Sequence, residues 1–364
     1  MSSVAVCLTR MCVFRADLCF TFTEQRSHSS HLISSGVVCF DRTCDFNWDN
    51  YQNSIKLWDF QENEEDAEVY PFPVAECPHK GDVTEAKFLN ADTFVTTSSL
   101  GSVHLMKIVS EHGIEPVIES KINWENIHNF PNGEISPCTS FSTYDNDVAT
   151  VGEDGTINLL NSQNQNVVRK IDNADSCSIH CVTFLKHSEI LTGNLRGHLK
   201  IFDIRAPKNE PTTTFMLSGT QVSPLCLQHH PTQRHLVVAG DEEGSITIWD
   251  LRQNTYPVNL LDAHEGGVAE IRFHPDQPDQ LFTCSSAGDV WHWSPKSGGI
   301  ASVGLGTAEN VWLASETIKN KLDVFTLMPK LHKPINSLDV NRNKVICGCD
   351  NEAIYLINGV NIFK

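Results

Sequence analysis

The sequence lacks the signals that would place this chain in a membrane, in the secretory pathway or in a common enzyme class. No apolar stretch approaches the roughly 20 residues that a membrane-spanning helix needs. Arg10, Arg15 and Asp17 interrupt the apolar N-terminal region, which argues against a signal peptide. The G-x-S-x-G, H-E-x-x-H and glycine-rich phosphate-binding motifs are missing. We therefore expect a protein without catalytic activity.

The chain also lacks runs of lysine or arginine. Its 45 acidic and 27 basic side chains give a net charge of −18 at pH 7. Binding to a phosphate backbone or an anionic membrane rests on clustered basic side chains. The charge balance thus argues against direct binding to nucleic acid or to an anionic membrane, and we expect neither a nucleic-acid partner nor direct membrane insertion.

Cysteine is abundant, but it follows no disulfide framework. The 13 cysteines are an odd number without a repeated spacing. Cys181, Cys226 and Cys284 lie within apolar strand patterns, where cysteine acts as a small buried hydrophobe. This usage favours a reducing compartment, the cytosol or the nucleus.

Three short fragments resemble parts of metal sites. They are His28 with His31, the pair His229-His230 before Pro231, and Cys347-Gly348-Cys349. None is matched by a second fragment at the spacing of a zinc site. We predict that the histidine pair ends a strand, that the two cysteines are buried by packing, and that the chain binds no metal or cofactor.

One strand pattern is repeated seven times. Its clearest copies are Gly244–Asp250, Asn53–Asp59 and Gly197–Asp203, each a turn residue followed by alternating apolar residues, an aromatic residue and Asp. Weaker copies begin at Gly101, Gly155, Gly288 and Glu352. This pattern is typical of a β-strand that follows a tight turn.

The spacing of these copies predicts the fold class. Successive copies begin between 42 residues (155 to 197) and 64 residues (288 to 352) apart. A period of about 40–45 residues with a Trp-Asp signature is typical of WD repeats. We therefore predict an all-β, seven-bladed WD40 β-propeller, in which neighbouring blades bury each other's faces.

The repeat is not continuous along the chain. Residues 1–45 do not show the pattern, so we predict a divergent N-terminal segment there and a propeller over residues 46–364. That segment is either an unusual closing strand or a stretch foreign to the fold. Residues 61–78, 110–137 and 294–333 interrupt the rhythm and are predicted to be surface loops.

Polar residues at the turns suggest the buried hydrogen-bond set of WD repeats. His264 precedes a first strand, with Asp or Ser in the next turn and Trp in the repeated strand. Such a set would lock a blade, because each buried polar group finds a partner. By this pattern no blade keeps the whole set: blade three, for example, has Asp154 but carries Leu160 in place of Trp.

Two features are candidates for partner contacts. Trp249-Asp250-Leu251-Arg252 and Phe202-Asp203-Ile204-Arg205 match the W-D-x-R pattern of propellers that dock onto adaptors of cullin-ring ligases. Asp203, Arg205, Asp250 and Arg252 would then bind the partner, with arginine facing a carboxylate. The alternative is an arginine that merely ends a strand. An acidic cluster at Glu62–Glu68 is either a contact for a basic surface or a solvated loop.

A more specific resemblance is carried by the degenerate copy in blade three. Thr150–Leu159, followed by Arg169–Ser176, resembles the small WD-repeat nucleoporin of the Y-shaped scaffold complex of the nuclear pore. Further matching segments follow in order over nearly the whole propeller: Trp48-Asp49-Asn50, Ala263-His264-Glu265, Leu281–Cys284, Trp291–Trp293 and Glu352–Tyr355. Residues 1–45 fall outside the resemblance.

The resemblance implies a non-enzymatic scaffold subunit. Members of this family bind large helical-solenoid nucleoporins in the Y complex. They contribute to pore assembly, to transport of mRNA and protein, and to kinetochores in mitosis. The expected location is therefore the nuclear pore complex and, in mitosis, the kinetochore. The matching motifs lie in the blade core, so the resemblance assigns no contact residue.

Overall fold

The computed structural model describes residues 4–8, 22–23, 36–44, 51–61, 70–110, 115–217, 221–253, 256–296, 311–313, 322–351 and 353–362. Side chains are described from residue 53 onward, apart from those of residues 59–71. The described residues form 28 β-strands and a single 3₁₀ turn. No helix among them has the length and apolar character needed to cross a membrane.

The strands form seven four-stranded sheets, here called blades 1 to 7. The chain also divides into two compact units, residues 3–179 with 346–356 and residues 180–345 with 357–364.

Three complete blades lie in the first unit, and each is ordered as in the sequence. Blade 1 contains β2 (Phe22–Thr23), β3 (Gly36–Cys44), β4 (Tyr51–Gln61) and β5 (Tyr70–His79). Blade 2 contains β6 (Val83–Phe88), β7 (Thr93–Ser98), β8 (Val103–Val109) and β9 (Val117–Trp124). Blade 3 contains β10 (Cys138–Tyr144), β11 (Asp147–Gly152), β12 (Ile157–Asn161) and β13 (Asn164–Ile171).

Three further blades lie in the second unit. Blade 4 contains β14 (Ile179–Lys186), β15 (Glu189–Asn194), β16 (His198–Asp203) and β17 (Thr213–Met216). Blade 5 contains β18 (Pro224–His229), β19 (Leu236–Asp241), β20 (Ser245–Asp250) and β21 (Asn259–Asp262). Blade 6 contains β22 (Val268–Phe273), β23 (Leu281–Ser285), β24 (Val290–Pro295) and β25 (Leu322–Thr326).

Blade 7 combines both ends of the chain. It contains β1 (Val4–Leu8), β26 (Ile335–Asn341), β27 (Lys344–Cys349) and β28 (Ala353–Ile357), in the order β1-β28-β27-β26. Strands β1 to β3 fall within residues 1–45, but the side chains there lie outside the described residues. The proposed boundary at residue 45 stays a prediction.

The predicted fold class is confirmed. Each of the seven repeated segments forms the third strand of its blade, from β4 to β28. The second strands carry the core, since every residue of β7, β19 and β23 is buried. Such strands are buried on both faces because each blade is covered by others, which explains their nearly continuous apolar sequence.

The prediction of three surface loops is wrong in part, because those segments contain the fourth strands. Residues 61–78 contribute most of β5, residues 110–137 contain β9, and residues 294–333 contain β25. In β9 only Ile118 and Trp124 are buried. A strand exposed on one face at the edge of a sheet has too weak an apolar alternation to be recognised.

The longest of these segments also supplies part of the core. The 3₁₀ turn Val311–Leu313 buries Trp312 completely, among Ile246, Leu261 and Phe273 of blades 5 and 6. Asn259 Nδ2 donates to the Trp312 carbonyl oxygen at 3.0 Å. The burial of Trp312 could not be predicted from the sequence, because a single Trp in a Ser- and Gly-rich segment has no periodic pattern around it.

A β-bulge recurs near the start of the first strand in four blades. The register with the second strand shifts between Val83 and Glu85, and it shifts at the equivalent place in β10, β18 and β22. A bulge bends the strand and turns the following side chains toward new partners.

After two of these bulges, the side chains of a Glu-x-Lys/Arg pair form hydrogen bonds with the backbone of the first strand of the next blade. Glu85 accepts a hydrogen bond from the Phe141 amide at 2.7 Å, and Lys87 Nζ donates to the Phe141 carbonyl oxygen at 2.9 Å. In the second unit, Glu270 and Arg272 bind the Leu338 amide and carbonyl at 2.8 and 3.3 Å. These hydrogen bonds satisfy backbone amides and carbonyls on the side of the first strand that has no strand neighbour.

We predict that Gly101→Ala strongly destabilises the first unit, whereas Gly133→Ala has a small effect. Gly101 has a φ of +66°, and a Cβ there would lie 2.5 Å from the carbonyl oxygens of His128 and Ser136. Gly133 has a φ of +86°, but a Cβ there would meet nothing within 4 Å. We expect a loss in free energy of unfolding of more than about 2 kcal/mol for Gly101→Ala and of about 1 kcal/mol for Gly133→Ala.

Urea denaturation of the two variants beside the unmodified chain measures the difference. Gly133→Ala controls for the backbone strain of a positive φ. An equal decrease in the free energy of unfolding of the two variants would show that the close approach of the two carbonyl oxygens to Gly101 has no effect on stability.

Candidate functional site

The two predicted Asp-x-Arg contacts are local turns that follow third strands. Asp203 Oδ1 accepts hydrogen bonds from the Arg205 amide at 2.9 Å and from its Nε at 3.4 Å. Asp250 binds Arg252 more tightly, with 3.0 Å to the amide and 2.6 Å between Oδ2 and Nη2. The side-chain hydrogen bonds from Arg252 lower the pKa of the Asp250 carboxyl.

The arginine side chains remain largely exposed, at 69% for Arg205 and 64% for Arg252. The geometry thus gives the Asp-x-Arg pattern a structural role, because each carboxylate closes the turn that begins with it. It also leaves one face of each guanidinium group in solvent.

Blade 6 contains a complete hydrogen-bonded polar set. His264 Nδ1 donates to Asp289 Oδ1 at 2.6 Å, and His264 Nε2 lies 2.8 Å from Thr283 Oγ1. Trp293 Nε1 donates to the same hydroxyl oxygen at 2.9 Å, and Ser285 Oγ donates to the Asp289 carboxylate. The prediction that no blade keeps the whole set is therefore wrong for blade 6.

The roles of donor and acceptor in this set alternate without conflict. A carboxylate only accepts, so His264 carries its proton on Nδ1 and accepts the Thr283 hydroxyl proton at Nε2. Burial alone would raise the pKa of the Asp289 carboxyl, but the hydrogen bonds from His264 and Ser285 hold it below its usual value. The set can therefore be buried with every polar atom named here paired.

Blade 3 contains a related set that the sequence pattern missed. His128, which is completely buried, places Nδ1 3.1 Å from Asp154 Oδ1 and Nε2 3.0 Å from Thr150 Oγ1. Thr156 Oγ1 donates to Asp154 Oδ2 at 2.8 Å. Leu160 occupies the position of the tryptophan, as predicted. His128 escaped notice because it lies in a long connection without a glycine beside it.

The described histidine pair His229-His230 also has a structural role. His230 is buried, and its Nδ1 accepts hydrogen bonds from the amides of Thr232 and Gln233 at 3.2 and 3.0 Å. Burial lowers the pKa of His230 to about 4, which keeps the ring neutral and able to accept at pH 7. The prediction of a strand-end histidine pair before Pro231 is confirmed.

Five of the eight described cysteines are buried, among them Cys181 and Cys284 as predicted, whereas Cys77, Cys177 and the predicted Cys226 are partly exposed. Cys347 and Cys349 are fully buried, as predicted, and the described cysteines form no disulfide with one another. Burial raises the pKa of the Cys226 and Cys347 thiols well above the usual range, so neither is a reactive thiolate at pH 7.

The described residues contain no group of three or more His, Cys, Asp or Glu side chains arranged to hold a metal. His28, His31 and the cluster Glu62–Glu68 lie outside the described side chains. The polar sets of blades 3 and 6 pair buried side chains of turns with those of neighbouring strands. Such an arrangement stabilises the turns.

We predict that Thr283→Val destabilises the second unit and that Thr247→Val does not. Thr283 is buried and bonded to both His264 and Trp293, so its loss leaves two buried polar groups without a partner. The expected decrease in the free energy of unfolding is about 2 to 4 kcal/mol. Thr247 is equally buried, but its hydroxyl has no hydrogen-bond partner among the described residues.

Chemical denaturation of both variants tests this difference. Each substitution exchanges a hydroxyl for a methyl group of similar volume, so Thr247→Val controls for the change in packing. We expect it to leave the stability unchanged or to raise it. A similar loss in both variants would contradict the role given to the Thr283 hydroxyl.

Comparison with known proteins adds the evidence of descent. The family described as "WD domain, G-beta repeat" matches residues 209–250, which contain β17 to β20. Nucleoporin Nup43 of Homo sapiens and that of Mus musculus are each 36% identical to the chain over 341 residues, which cover 85% of the chain and 89% of each relative.

A more distant relative is similar over a shorter span. The nuclear pore complex protein nup43 of Dictyostelium discoideum is 27% identical over 219 residues, or 58% of the chain and 50% of that protein. The identity to the human and mouse relatives, and the share of the chain that it covers, decide the family of the chain. Together with the seven blades, they show that the chain belongs to the Nup43 family of WD40 nucleoporins.

Proposed function

We propose that the chain is a non-enzymatic scaffold subunit of the nuclear pore complex and acts within its Y-shaped subcomplex. The observation that carries the proposal is the 36% identity to Nup43 over 85% of the chain. The buried polar sets agree with a scaffold, because they stabilise turns between strands. The finer roles, in pore assembly, in transport of mRNA and protein, and at the mitotic kinetochore, extend the proposal on the same resemblance.

The proposed partners are helical-solenoid nucleoporins of the Y complex. The net charge of −18 favours protein partners over direct binding to nucleic acid. A tagged chain expressed at its natural level should recover these nucleoporins from nuclear extract in near-stoichiometric amounts, whereas the tag alone should not. Recovery of the chain without them would refute the proposal.

A second candidate is a substrate receptor of a cullin-ring ligase. One observation favours it, since Arg205 and Arg252 follow the third strands of consecutive blades with exposed guanidinium groups. The scaffold proposal is preferred because each arginine already has a carboxylate partner in its own turn.

We predict that, if the chain is such a receptor, the double variant Arg205→Ala/Arg252→Ala loses binding to the purified ligase adaptor. Lys208→Ala is the matched control, because it removes an exposed cation from the connection that follows Arg205. Isothermal titration calorimetry measures the affinity. No binding by the unmodified chain, or equal binding by the double variant, would refute the receptor role of these arginines.

A further inference from the structure

The connection from β9 to β10 folds into a small hairpin. Asn129 pairs with Ile135 as an antiparallel bridge, and the Phe130 amide donates to the Glu134 carbonyl oxygen at 2.9 Å. Gly133 completes the tip, with its amide donating to the Phe130 carbonyl oxygen at 2.9 Å. Residues 129–135 therefore have a defined backbone conformation at the start of blade 3.

Both arms of this hairpin are fastened to Asp154. On one arm, the Asp154 carboxylate accepts hydrogen bonds from His128 Nδ1 at 3.1 Å and from the Asn129 amide at 3.0 Å. On the other arm, Ser136 Oγ accepts a hydrogen bond from the Asp154 amide at 2.9 Å. The side chains of His128 and Asp154 are fully buried. A loop held in this way loses little conformational entropy when it binds a partner.

Apolar side chains are exposed on this rigid base. Ile135 is 48% exposed, and Leu100, in the turn between β7 and β8, is 40% exposed. The two turns are joined, since the amides of Ile127 and His128 donate to the Gly101 carbonyl oxygen at 3.0 and 3.2 Å. Single exposed apolar residues are common. Two of them on adjoining turns, with the exposed Pro131 at the tip, form a small apolar surface on a fixed backbone.

Acidic side chains lie on the hairpin and on the segments next to it. Glu134 lies in the hairpin, Glu125 precedes it, and Glu153 is linked to its base by a hydrogen bond from its amide to the Pro137 carbonyl oxygen at 3.2 Å. All three are exposed. Lys80 lies 3.5 Å from Glu125 and offsets its charge, which leaves Glu134 and Glu153 as the acidic side chains of this surface.

We infer that Leu100, Pro131, Glu134, Ile135 and Glu153, here called the hairpin surface, form a docking site for a nucleoporin of the Y complex. The partner would present an apolar pocket edged with lysine or arginine side chains. Apolar contacts at the centre supply most of the affinity of such an interface, and complementary charges at the rim supply orientation and a fast association rate. The inference rests on the proposed function and names the surface that would bind the partner.

The main test compares Ile135→Asp with Val168→Asp. Val168 is 58% exposed on β13 of the same unit, so both variants place a carboxylate on an exposed apolar position. The tagged chains are expressed in cells, and the Y-complex nucleoporins recovered with each are quantified by mass spectrometry. We expect Ile135→Asp to reduce their recovery about tenfold and Val168→Asp to leave it unchanged.

Charge reversal gives a second and independent readout. Glu134→Lys removes the attraction between this carboxylate and the basic side chains of the partner. Because salt screens that attraction, the variant should reduce the recovery of Y-complex nucleoporins more at low than at high salt. Glu243→Lys, on the turn between β19 and β20 of blade 5, is the matched control. Thermal denaturation of all four variants shows that each remains folded.

The outcomes separate the inference from the function on which it rests. If the unmodified chain recovers no Y-complex nucleoporin, the proposed function fails. If it recovers them and Ile135→Asp and Glu134→Lys do so equally well, the function stands and the hairpin surface is overturned. A loss of recovery in Val168→Asp but not in Ile135→Asp would also overturn it and would move the interface to the fourth strands.

Discussion

Each first strand in this fold has a strand neighbour on one side only, and this constraint governs much of the rest of the structure. The backbone amides and carbonyls on its other side need partners from outside the sheet. Glu85 with Lys87, and Glu270 with Arg272, supply them to Phe141 and to Leu338. Each pair also binds internally, so the charges are neutralised where they are partly buried. Adjacent blades are thereby joined by polar contacts as well as by apolar packing.

The turns obey the same requirement by different means. Where a connection between blades carries a buried histidine, an aspartate and a threonine complete its hydrogen bonds, as around His264 and His128. Leaving any of these groups unpaired would cost more than the hydrogen bond itself contributes. The set of blade 3 has a further consequence, because Asp154 also holds the hairpin that follows His128.

This division between buried polar sets and exposed turns explains how a scaffold protein can be specific without a catalytic centre. The buried sets determine the conformation of the connections, and the connections present the side chains that another protein can contact. The Asp-x-Arg turns follow a similar plan, since the aspartate is used locally and the arginine extends into solvent.

Much of the architecture could be predicted from single residues and their spacing. The seven repeated strands, the degenerate copy in blade 3, the strand-end position of His229-His230 and the burial of Cys347 and Cys349 all follow local patterns. The fourth strands did not, because β9 and β25 bury only a few side chains and so lack a clear alternation. Trp312 and His128 were missed for a related reason: each is isolated in an irregular segment, and its partners come from distant parts of the chain.

The sequence by itself determined the class of fold, the number of blades and the family, since these depend on a periodic pattern and on ordered motif matches. Only the tertiary structure decided which polar residues are joined, because hydrogen bonds between residues 18 to 68 positions apart have no local signature. It decided that Glu85 and Lys87 meet Phe141, and that Asp154 holds both arms of a hairpin. The repeated strand specifies the scaffold, and the contacts between strands and turns specify the surface that it presents.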